Sequence, residues 1–270
     1  MEGNVHKHKK KFGQNFLNNY KILENILEVS DVAENETVLE IGPGDGALTS
    51  LLLEDAKKVI CVEIDRDLEK VLVPKFSENP KFNLIMKDVL QLDFEKDINE
   101  KVKVVANIPY YITSSIVKKL LANKEYVDEI YIMVQKEVGE RIAAKPGTKA
   151  RSVLTLSVEY FGEAELLFVI PRENFTPVPK VDSAFLKIVP RKDNKYMNMI
   201  PEKEFFKYVK ASFLTKRKNI ANNLVRLGFN KSELLELLEK NGINPKKRAE
   251  EFSIDEFIEL IKILKESKGN

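Results

Sequence analysis

The stretch Thr37-Val-Leu-Glu-Ile-Gly-Pro-Gly-Asp-Gly-Ala-Leu-Thr49 joins a β-branched run to a helical pattern through three closely spaced glycines. Gly42, Gly44 and Gly46 let the backbone turn sharply and approach a ligand, because a Cβ at those positions would collide with it. In an open parallel sheet, the first strand-to-helix turn of this kind holds a nucleotide-like ligand. The stretch therefore predicts a βα unit with a nucleotide-type binding site.

Short β-branched runs alternate with amphipathic patterns on both sides of this turn. Strands are predicted over Thr37–Ile41, Val59–Ile64, Phe82–Met86, Val102–Ala106, Glu129–Val134, Ala164–Val169 and Ala184–Val189. Helices are predicted over Tyr20–Glu28, Ala47–Glu54, Asp67–Phe76 and Ser114–Asn123. This order is typical of an α/β fold with a Rossmann-like, doubly wound, mostly parallel sheet. The last two strands are joined too closely for a helical crossover, which predicts an antiparallel pair at the sheet edge.

The composition changes after Pro190. A polar stretch over 191–195 is typical of a linker, and beyond it Phe205, Val209 and Phe213 recur at helical spacing. We therefore expect a sheet domain over 1–193 and a small, all-helical C-terminal domain over 194–270.

Bulk composition indicates an ordinary globular protein. The chain has 270 residues, of which 43% are hydrophobic and 32% charged. No apolar run approaches the roughly 18 residues of a membrane span, and no apolar core follows the basic N-terminus as in a signal peptide. Cys61 is the only cysteine and is expected in a buried strand. Because no intrachain disulfide is possible, nothing favours an oxidising compartment, and the cytoplasm is the expected location. His6 and His8 have no nearby third ligand, and no metal is predicted.

Charge is distributed unevenly although the net charge is only +2. Residues 1–21 and 210–226 are strongly basic, whereas the stretch between Ile22 and Ala106 is acidic. Taken alone, each basic cluster is the ordinary solvated surface of a terminus or a helix. Taken together, the two clusters could form one phosphate-binding face. Charge alone leaves both interpretations open.

Acidic residues stand at the ends of the second and third predicted strands. Glu63 is placed to accept both hydroxyls of a ribose, and Asp88 to accept an adenine amino group. Each could be an ordinary surface acid, but their joint spacing after a glycine turn favours a ligand role.

A dehydrogenase is the rival interpretation of the same turn. Gly42, Gly44 and Ala47 satisfy the dinucleotide fingerprint, whose acidic residue falls about 20 positions later. Against it stand Glu40 before the turn and Asp88 after the third strand. No histidine outside the N-terminal tail is available for hydride chemistry on a carbinol.

The fourth predicted strand ends in Val105-Ala-Asn-Ile-Pro-Tyr110. Asn107 could be a capping residue in a proline turn. Alternatively, the Asn107 carboxamide and the Pro109 carbonyl could accept the two N6 hydrogens of an adenine, while Tyr110 stacks on the base. Such acceptors would aim the nitrogen lone pair at an activated methyl donor, so that position and dipoles suffice without a general base.

With these motifs in place, the chain resembles the ribosomal RNA adenine dimethyltransferases, specifically the small-subunit, kasugamycin-sensitivity type. Phe12-Gly-Gln-Asn-Phe-Leu17 resembles the N-terminal cofactor motif of the family, and Phe175-Thr-Pro-Val-Pro-Lys-Val-Asp-Ser183 resembles a motif whose aromatic stacks on the target base opposite Tyr110. The resemblance implies a class I methyltransferase fold with S-adenosyl-L-methionine as cofactor. The cofactor-binding residues it implies are Gln14, Asn15, Leu17, Gly42, Gly44, Glu63, Ile64, Asp88, Val89 and Asn107.

Two C-terminal stretches, over 211–224 and 247–254, are similar to the helical domain of the small-subunit enzymes. The erythromycin-resistance methyltransferases, which modify large-subunit RNA, resemble them much less. RNA contacts are expected from Lys9, Lys10, Lys11, Lys210, Lys216, Arg217, Lys218 and Arg248. Arg151-Ser152 stands where many relatives have Tyr-Gly, which leaves the conformation of the Lys145–Lys149 loop open.

The resemblance implies an enzyme that dimethylates N6 of two adjacent adenosines in the 3′-terminal hairpin of small-subunit rRNA. The implied partner is a partly assembled small subunit, and a monomer is expected. Two alternatives stay open at this point: a large-subunit rRNA methyltransferase of the resistance type, and a non-catalytic assembly or transcription factor on the same scaffold.

Overall fold

The computed structural model describes residues 15–269, which form two compact units. The first contains residues 15–139 and 164–190, and the second contains residues 140–163 and 191–269. The chain re-enters the second unit close to the predicted boundary at 193. However, the prediction assigned 140–163 to the sheet domain, and this assignment is wrong. Leu156 and Tyr160 of that segment are buried in the core of the helical unit.

Strand bounds follow the apolar runs closely. The strands are β1 (Phe16–Leu17), β2 (Thr37–Ile41), β3 (Lys58–Glu63), β4 (Phe82–Met86), β5 (Val102–Asn107), β6 (Val127–Gln135), β7 (Gly162–Ile170), β8 (Phe175–Thr176) and β9 (Ser183–Pro190). All five residues of β2 are buried, as expected of a parallel strand covered on both faces.

Helices occupy the connections and most of the C-terminal part. They are α1 (Tyr20–Ser30), α2 (Ala47–Asp55), α3 (Arg66–Phe76), α4 (Thr113–Ala122), α5 (Lys136–Ile142), α6 (Val153–Phe161), α7 (Lys195–Met199), α8 (Glu202–Ser212), α9 (Ile220–Leu224), α10 (Lys231–Lys240) and α11 (Ile254–Gly269). The starts of α1 and α3 are set by side chains of Asn19 and Asp65, which accept backbone N–H groups of the first turn. No helix within residues 15–269 is long and apolar enough to cross a bilayer.

The main sheet has the strand order β4-β3-β2-β5-β6-β9-β7. From β4 through β6 each neighbouring pair is parallel, and β9 runs antiparallel to β6. The predicted doubly wound, mostly parallel sheet is thus confirmed, and the last two predicted strands are neighbours at its edge. The chain moves outward from β2 to β4 and resumes on the other side of β2 with β5. This reversal leaves a crevice beyond the carboxyl ends of β2 and β5, the usual ligand position in such sheets.

The second unit has its own aromatic core. The ring of Tyr160 stacks on that of Phe205 at 4.4 Å between centroids, and Phe252 and Phe257 pack at 5.3 Å. The hydroxyl of Tyr160 donates to the backbone carbonyl of Ile200 at 2.7 Å, so that this buried polar group is satisfied.

Arg151 is buried in this unit and connects three of its segments. Its side chain is 1% exposed, and its Nη1 and Nη2 bind the Glu159 carboxylate at 2.7 and 2.6 Å. Its Nε donates to the Phe252 carbonyl at 2.8 Å, and Nη1 donates to the Ala144 carbonyl at 3.0 Å. The loop that follows Ala144 is closed by a hydrogen bond from Gly147 N–H to the Glu250 carbonyl at 2.8 Å. Arginine at this position therefore orders the loop whose conformation the sequence left open.

Candidate active site

A cavity of about 250 Å³ lies beyond the carboxyl ends of β2, β3 and β5, entirely within the first unit. It brings together nearly all the residues predicted to bind cofactor or substrate. The predicted residues that line it are Asn15, Leu17, Gly42, Gly44, Glu63, Ile64, Asp88, Val89, Asn107, Pro109 and Tyr110. Gln14 lies outside the described residues.

The glycine turn forms the floor of this cavity and needs glycine for two reasons. Gly44 has a φ of +62°, and a Cβ there would lie 2.9 Å from the ring of Phe16. Gly46 has a φ of +81°, and its Cβ would overlap the ring of Phe76. The Nζ of Lys75 donates to the carbonyls of Asp45 and Gly46 at 3.2 and 3.3 Å, which holds the turn from below. The close packing of Phe16 and Phe76 therefore leaves no room for a side chain at Gly44 and Gly46.

Two carboxylates project from the ends of neighbouring strands. The Oε1 of Glu63 accepts the backbone N–H groups of Ile64 and Asp65, both at 2.8 Å. Burial raises the pKa of Glu63, and these backbone hydrogen bonds oppose the rise. The Oδ1 of Asp88 accepts the N–H of Leu90 at 2.9 Å. Backbone contacts thus orient both carboxylates at the cavity wall.

Apolar side chains line the same cavity as these carboxylates. Ile64 lines the cavity and is 49% exposed, although the five residues that precede it in β3 are buried. Leu90, which no sequence motif indicates, is also exposed and lines the cavity. Two exposed aliphatic side chains beside two acceptors suit a flat heterocycle that carries hydroxyl and amino groups.

A buried acid underlies the glycine turn. Glu40 is 2% exposed, and its Oε2 accepts the hydroxyl of Thr49 at 2.6 Å and the thiol of Cys61 at 3.5 Å. Burial raises the pKa of Glu40 to about 7. Burial likewise raises the pKa of the Cys61 thiol, which keeps it protonated, and its predicted place in the core is confirmed. The partnership of Glu40 with Thr49 was not evident from the sequence.

The Asn107–Tyr110 segment closes the opposite side of the cavity. The Nδ2 of Asn107 donates to the carbonyl of Asn15 at 3.1 Å, which directs the oxygen end of the carboxamide away from Asn15. The hydroxyl of Tyr110 is hydrogen-bonded to the hydroxyl of Ser183 at 2.6 Å. Burial raises the pKa of Tyr110. Both side chains are therefore held in position before any ligand binds.

A two-stranded pair places Asn15, Phe16 and Leu17, the described part of the predicted N-terminal cofactor motif, on the cavity. Strand β1 pairs antiparallel with β8, with Phe16 opposite Thr176 and Leu17 opposite Phe175. The backbone N–H of Asn18 donates to the carbonyl of Asn174 at 2.9 Å. The described end of the N-terminal motif and the start of the Phe175–Ser183 motif are therefore in contact, although they are far apart in sequence.

Phe175 does not occupy the predicted position for stacking. Its side chain is 1% exposed, belongs to the hydrophobic core of the sheet unit and is not among the residues that line the cavity. The expectation that Phe175 stacks on a target base is contradicted in this conformation, because neither face of the ring is accessible. Tyr111, for which the sequence motifs predict no role, lines the cavity and is 65% exposed.

The predicted RNA-binding residues are only partly described. Lys9, Lys10 and Lys11 lie outside the described residues. The others are all exposed on the second unit, namely Lys210, Lys216, Arg217, Lys218 and Arg248. Their exposure is compatible with RNA contacts, which stay a prediction.

Sequence comparisons agree over nearly the whole chain. The family model described as "Ribosomal RNA adenine dimethylase" matches residues 5–266. A protein from Fusobacterium nucleatum named "Ribosomal RNA small subunit methyltransferase A" is 60% identical over 258 residues, which cover 95% of this chain and 97% of that protein. The protein of the same name from Lactococcus lactis is 42% identical over 93% of this chain and 88% of its own length.

Solved structures support the same grouping. A dimethyladenosine transferase from Plasmodium falciparum superposes with a TM-score of 0.78 at 27% identity, over 94% of this chain and 98% of that one. The 23S rRNA methyltransferase ErmE superposes with a TM-score of 0.73, also at 27% identity, over 93% and 99%. The cavity, the motifs that line it and these matches lead to one conclusion: the chain belongs to the ribosomal RNA adenine dimethylase family.

Proposed function

We propose that this adenine dimethyltransferase acts on small-subunit rRNA, at N6 of two adjacent adenosines in the 3′-terminal hairpin, and yields N6,N6-dimethyladenosine. The observation that carries the proposal is the placement of Asn107 and Pro109 beside the glycine turn in one cavity. The names of the Fusobacterium and Lactococcus relatives support the small subunit as the target.

The cavity fits the family's methyl donor, S-adenosylmethionine. Glu63 and Asp88 would bind the ribose hydroxyls and the adenine amino group, and the exposed side chains of Ile64 and Leu90 would flank the adenine ring. Gly44 lines this cavity beside Phe16, and a Cβ at Gly44 would displace the Phe16 ring. When bound, the donor supplies a methyl group on a sulfonium, which is electrophilic without further activation.

The chain's own contribution to methyl transfer is positioning. The adenine N6 is a poor nucleophile because its lone pair is delocalised into the ring. The Asn107 carboxamide oxygen and the Pro109 carbonyl would accept the two N6 hydrogens and direct the lone pair towards the methyl group. Because Asn15 already holds the Asn107 amide nitrogen, the acceptor is oriented in advance, which is the condition for electrostatic preorganisation.

The target base must leave its stack to enter the cavity, at a cost of a few kcal/mol. Tyr110 would offset part of that cost by stacking, since the hydrogen bond to Ser183 fixes its ring. With Phe175 buried, the exposed ring of Tyr111 is the aromatic surface at the cavity mouth that could cover the other face of the base.

Recognition of the RNA is assigned to phosphate contacts and shape rather than base reading, as is usual for folded RNA. The exposed basic residues of the helical unit supply charges for such contacts. We also propose that the working partner is a partly assembled small subunit, that the protein acts as a monomer and that it does so in the cytoplasm.

The experiment that tests this function compares substrates directly. The protein is incubated with labelled S-adenosylmethionine and either small or large ribosomal subunits that lack the modification, and the nucleosides are then analysed. We expect N6,N6-dimethyladenosine only in small-subunit RNA, with assembled particles preferred over naked RNA. Dimethylation of free large-subunit RNA alone would instead assign the chain to the resistance type, whose fold is similar. A product confined to N6-monomethyladenosine would also contradict the proposal.

The matched variant for this assay is Asn107→Ala. Loss of one preorganised polar group typically lowers kcat by about 10²–10³, equivalent to roughly 3–4 kcal/mol. RNA binding should be retained, because Asn107 lies in the cavity and is not among the basic residues expected to contact RNA. A variant with wild-type turnover would remove Asn107 from the proposed chemistry.

A further inference from the structure

The connection between α8 and α9 carries a concentrated positive charge. We call residues 213–219 the basic loop, because Lys216, Arg217 and Lys218 follow one another within it. The three side chains are exposed, and none forms an ion pair within the described part of the chain. Their charges are therefore available to an anionic partner.

A buried amide lies beneath this loop. Asn223, in α9, is 1% exposed, and its Nδ2 donates to three backbone carbonyls. The acceptors are Ser212 at 2.7 Å, Thr215 at 3.2 Å and Lys218 at 3.4 Å. The Asn223 side chain thus connects the end of α8 to two points of the basic loop, one before and one after Lys216 and Arg217.

The orientation of this amide follows from its neighbours. All three contacts are carbonyl oxygens, so that only the nitrogen end of the carboxamide can face them. The Oδ1 of Asn223 is consequently buried, and among residues 15–269 it has no hydrogen-bond partner. A buried acceptor without a partner is rare in folded proteins, which indicates that the contacts on the nitrogen side matter at this position.

Helix capping alone does not account for Asn223. A cap on α8 requires only the bond to the Ser212 carbonyl, and α9 already has its own N-cap, because the side chain of Asn219 accepts the N–H of Asn222. The bonds to Thr215 and Lys218 instead reach into the loop on both sides of Lys216 and Arg217. These bonds restrict the backbone that carries the charges.

We propose that Asn223 is a positioning residue that holds the basic loop in one shape, so that Lys216, Arg217 and Lys218 contact RNA phosphates together. This inference rests on the proposed function, in which the basic loop faces RNA. A loop that has lost these bonds would have to be ordered on binding. The entropic cost of that ordering would make the free energy of binding less favourable.

The test measures binding to unmodified small ribosomal subunits over a range of KCl concentrations. Asn223→Ala should weaken binding about tenfold or more, since ordering a single residue costs roughly that factor. The salt dependence should also flatten, because fewer phosphate contacts form together. Asn222→Ala is the matched control, since it removes the same side chain from the neighbouring position, where it is only half-buried. Affinity for S-adenosylmethionine should stay unchanged in both variants.

A double-mutant cycle separates positioning from general stability. In the background of Lys216→Ala, Arg217→Ala and Lys218→Ala, replacement of Asn223 should cause no further loss of affinity. An additional loss of equal size there, or wild-type binding by Asn223→Ala, would overturn the inference. If Asn223→Ala does not fold, Asn223→Ser, which keeps one donor, must give an intermediate affinity for the inference to stand. Wild-type binding by the triple variant would instead refute the RNA-facing loop of the proposed function.

Discussion

Replacement of Glu40 by glutamine should remove a pH dependence of stability that this one carboxyl imposes on the sheet unit. Burial raises its pKa from 4.5 to about 7 in the folded chain. Because the folded state binds the proton more tightly than the unfolded state, Glu40 favours folding in its protonated form. Its contribution is therefore fully present below pH 4.5 and is lost as the pH rises through 7.

The size of the effect follows from the separation of the two pKa values. Each pKa unit corresponds to about 1.4 kcal/mol, and integration between pH 5 and pH 8 gives a loss of about 2.5 kcal/mol from Glu40. Glutamine cannot titrate, yet its carbonyl oxygen can still accept the Thr49 hydroxyl. The wild type should therefore lose about 2.5 kcal/mol more unfolding free energy over this interval than Glu40→Gln.

The assay is urea unfolding followed by circular dichroism, for both proteins at several pH values between 5 and 8. Glu54→Gln is the matched control, because Glu54 is an exposed glutamate on the nearby helix α2. Its pH profile should follow the wild type. If the profiles of wild type and Glu40→Gln are parallel, Glu40 is already ionised at pH 5 and the reasoning from its burial is refuted.

Three further predictions concern the donor cavity and the helical unit. Glu63→Ala and Asp88→Ala should each weaken S-adenosylmethionine binding by about ten- to a hundredfold in calorimetry, as a charge-assisted hydrogen bond contributes about 1.5–3 kcal/mol; unchanged affinity in both would invalidate the assigned site. Gly44→Ala should also weaken donor binding while Gly147→Ala, with a comparable φ and open space around it, should not; equal affinities would show that the contact with Phe16 is unimportant. Arg151→Met should lower the unfolding free energy by about 3–5 kcal/mol, since Glu159 loses its buried partner; a smaller change in thermal unfolding than in an exposed control such as Arg217→Met would contradict this role of Arg151.

The parallel strands were the most predictable part of the fold. The bounds of β2 and β4 agree with those expected. Strand β2 is a continuous buried run in the middle of the sheet, and β4 is a short, mostly apolar run between two lysines at the sheet edge. The residues of the crevice could be predicted equally well, since Gly42, Glu63 and Asn107 all stand where a strand ends. A position at the carboxyl end of a parallel strand strongly predicts a place in the ligand crevice, and that position can be read from the order of the elements along the chain.

The elements that the sequence concealed depend on contacts between distant segments. Strands β1 and β8 have two residues each, too few for any periodicity, and they exist only because Leu17 and Phe175 meet. The same contact buries Phe175, which motif similarity had assigned to the substrate. Likewise, nothing in the composition of 140–163 shows that Tyr160 packs on Phe205 rather than against the sheet. Such pairings are decided by the tertiary structure.

The interleaving of the two units constrains the order in which a growing chain can fold. Strand β9 lies between β6 and β7 in the sheet. One edge of β6 therefore has no hydrogen-bonding partner until residues 183–190 have been synthesised. The hydrogen bond from the Arg151 guanidinium forms later still, because its acceptor, the Phe252 carbonyl, lies 101 residues further along the chain. Neither unit can therefore be completed while only the N-terminal half is available, in contrast to chains whose domains fold one after the other during translation. Nascent chains halted before residue 183 should accordingly be sensitive to protease in both units.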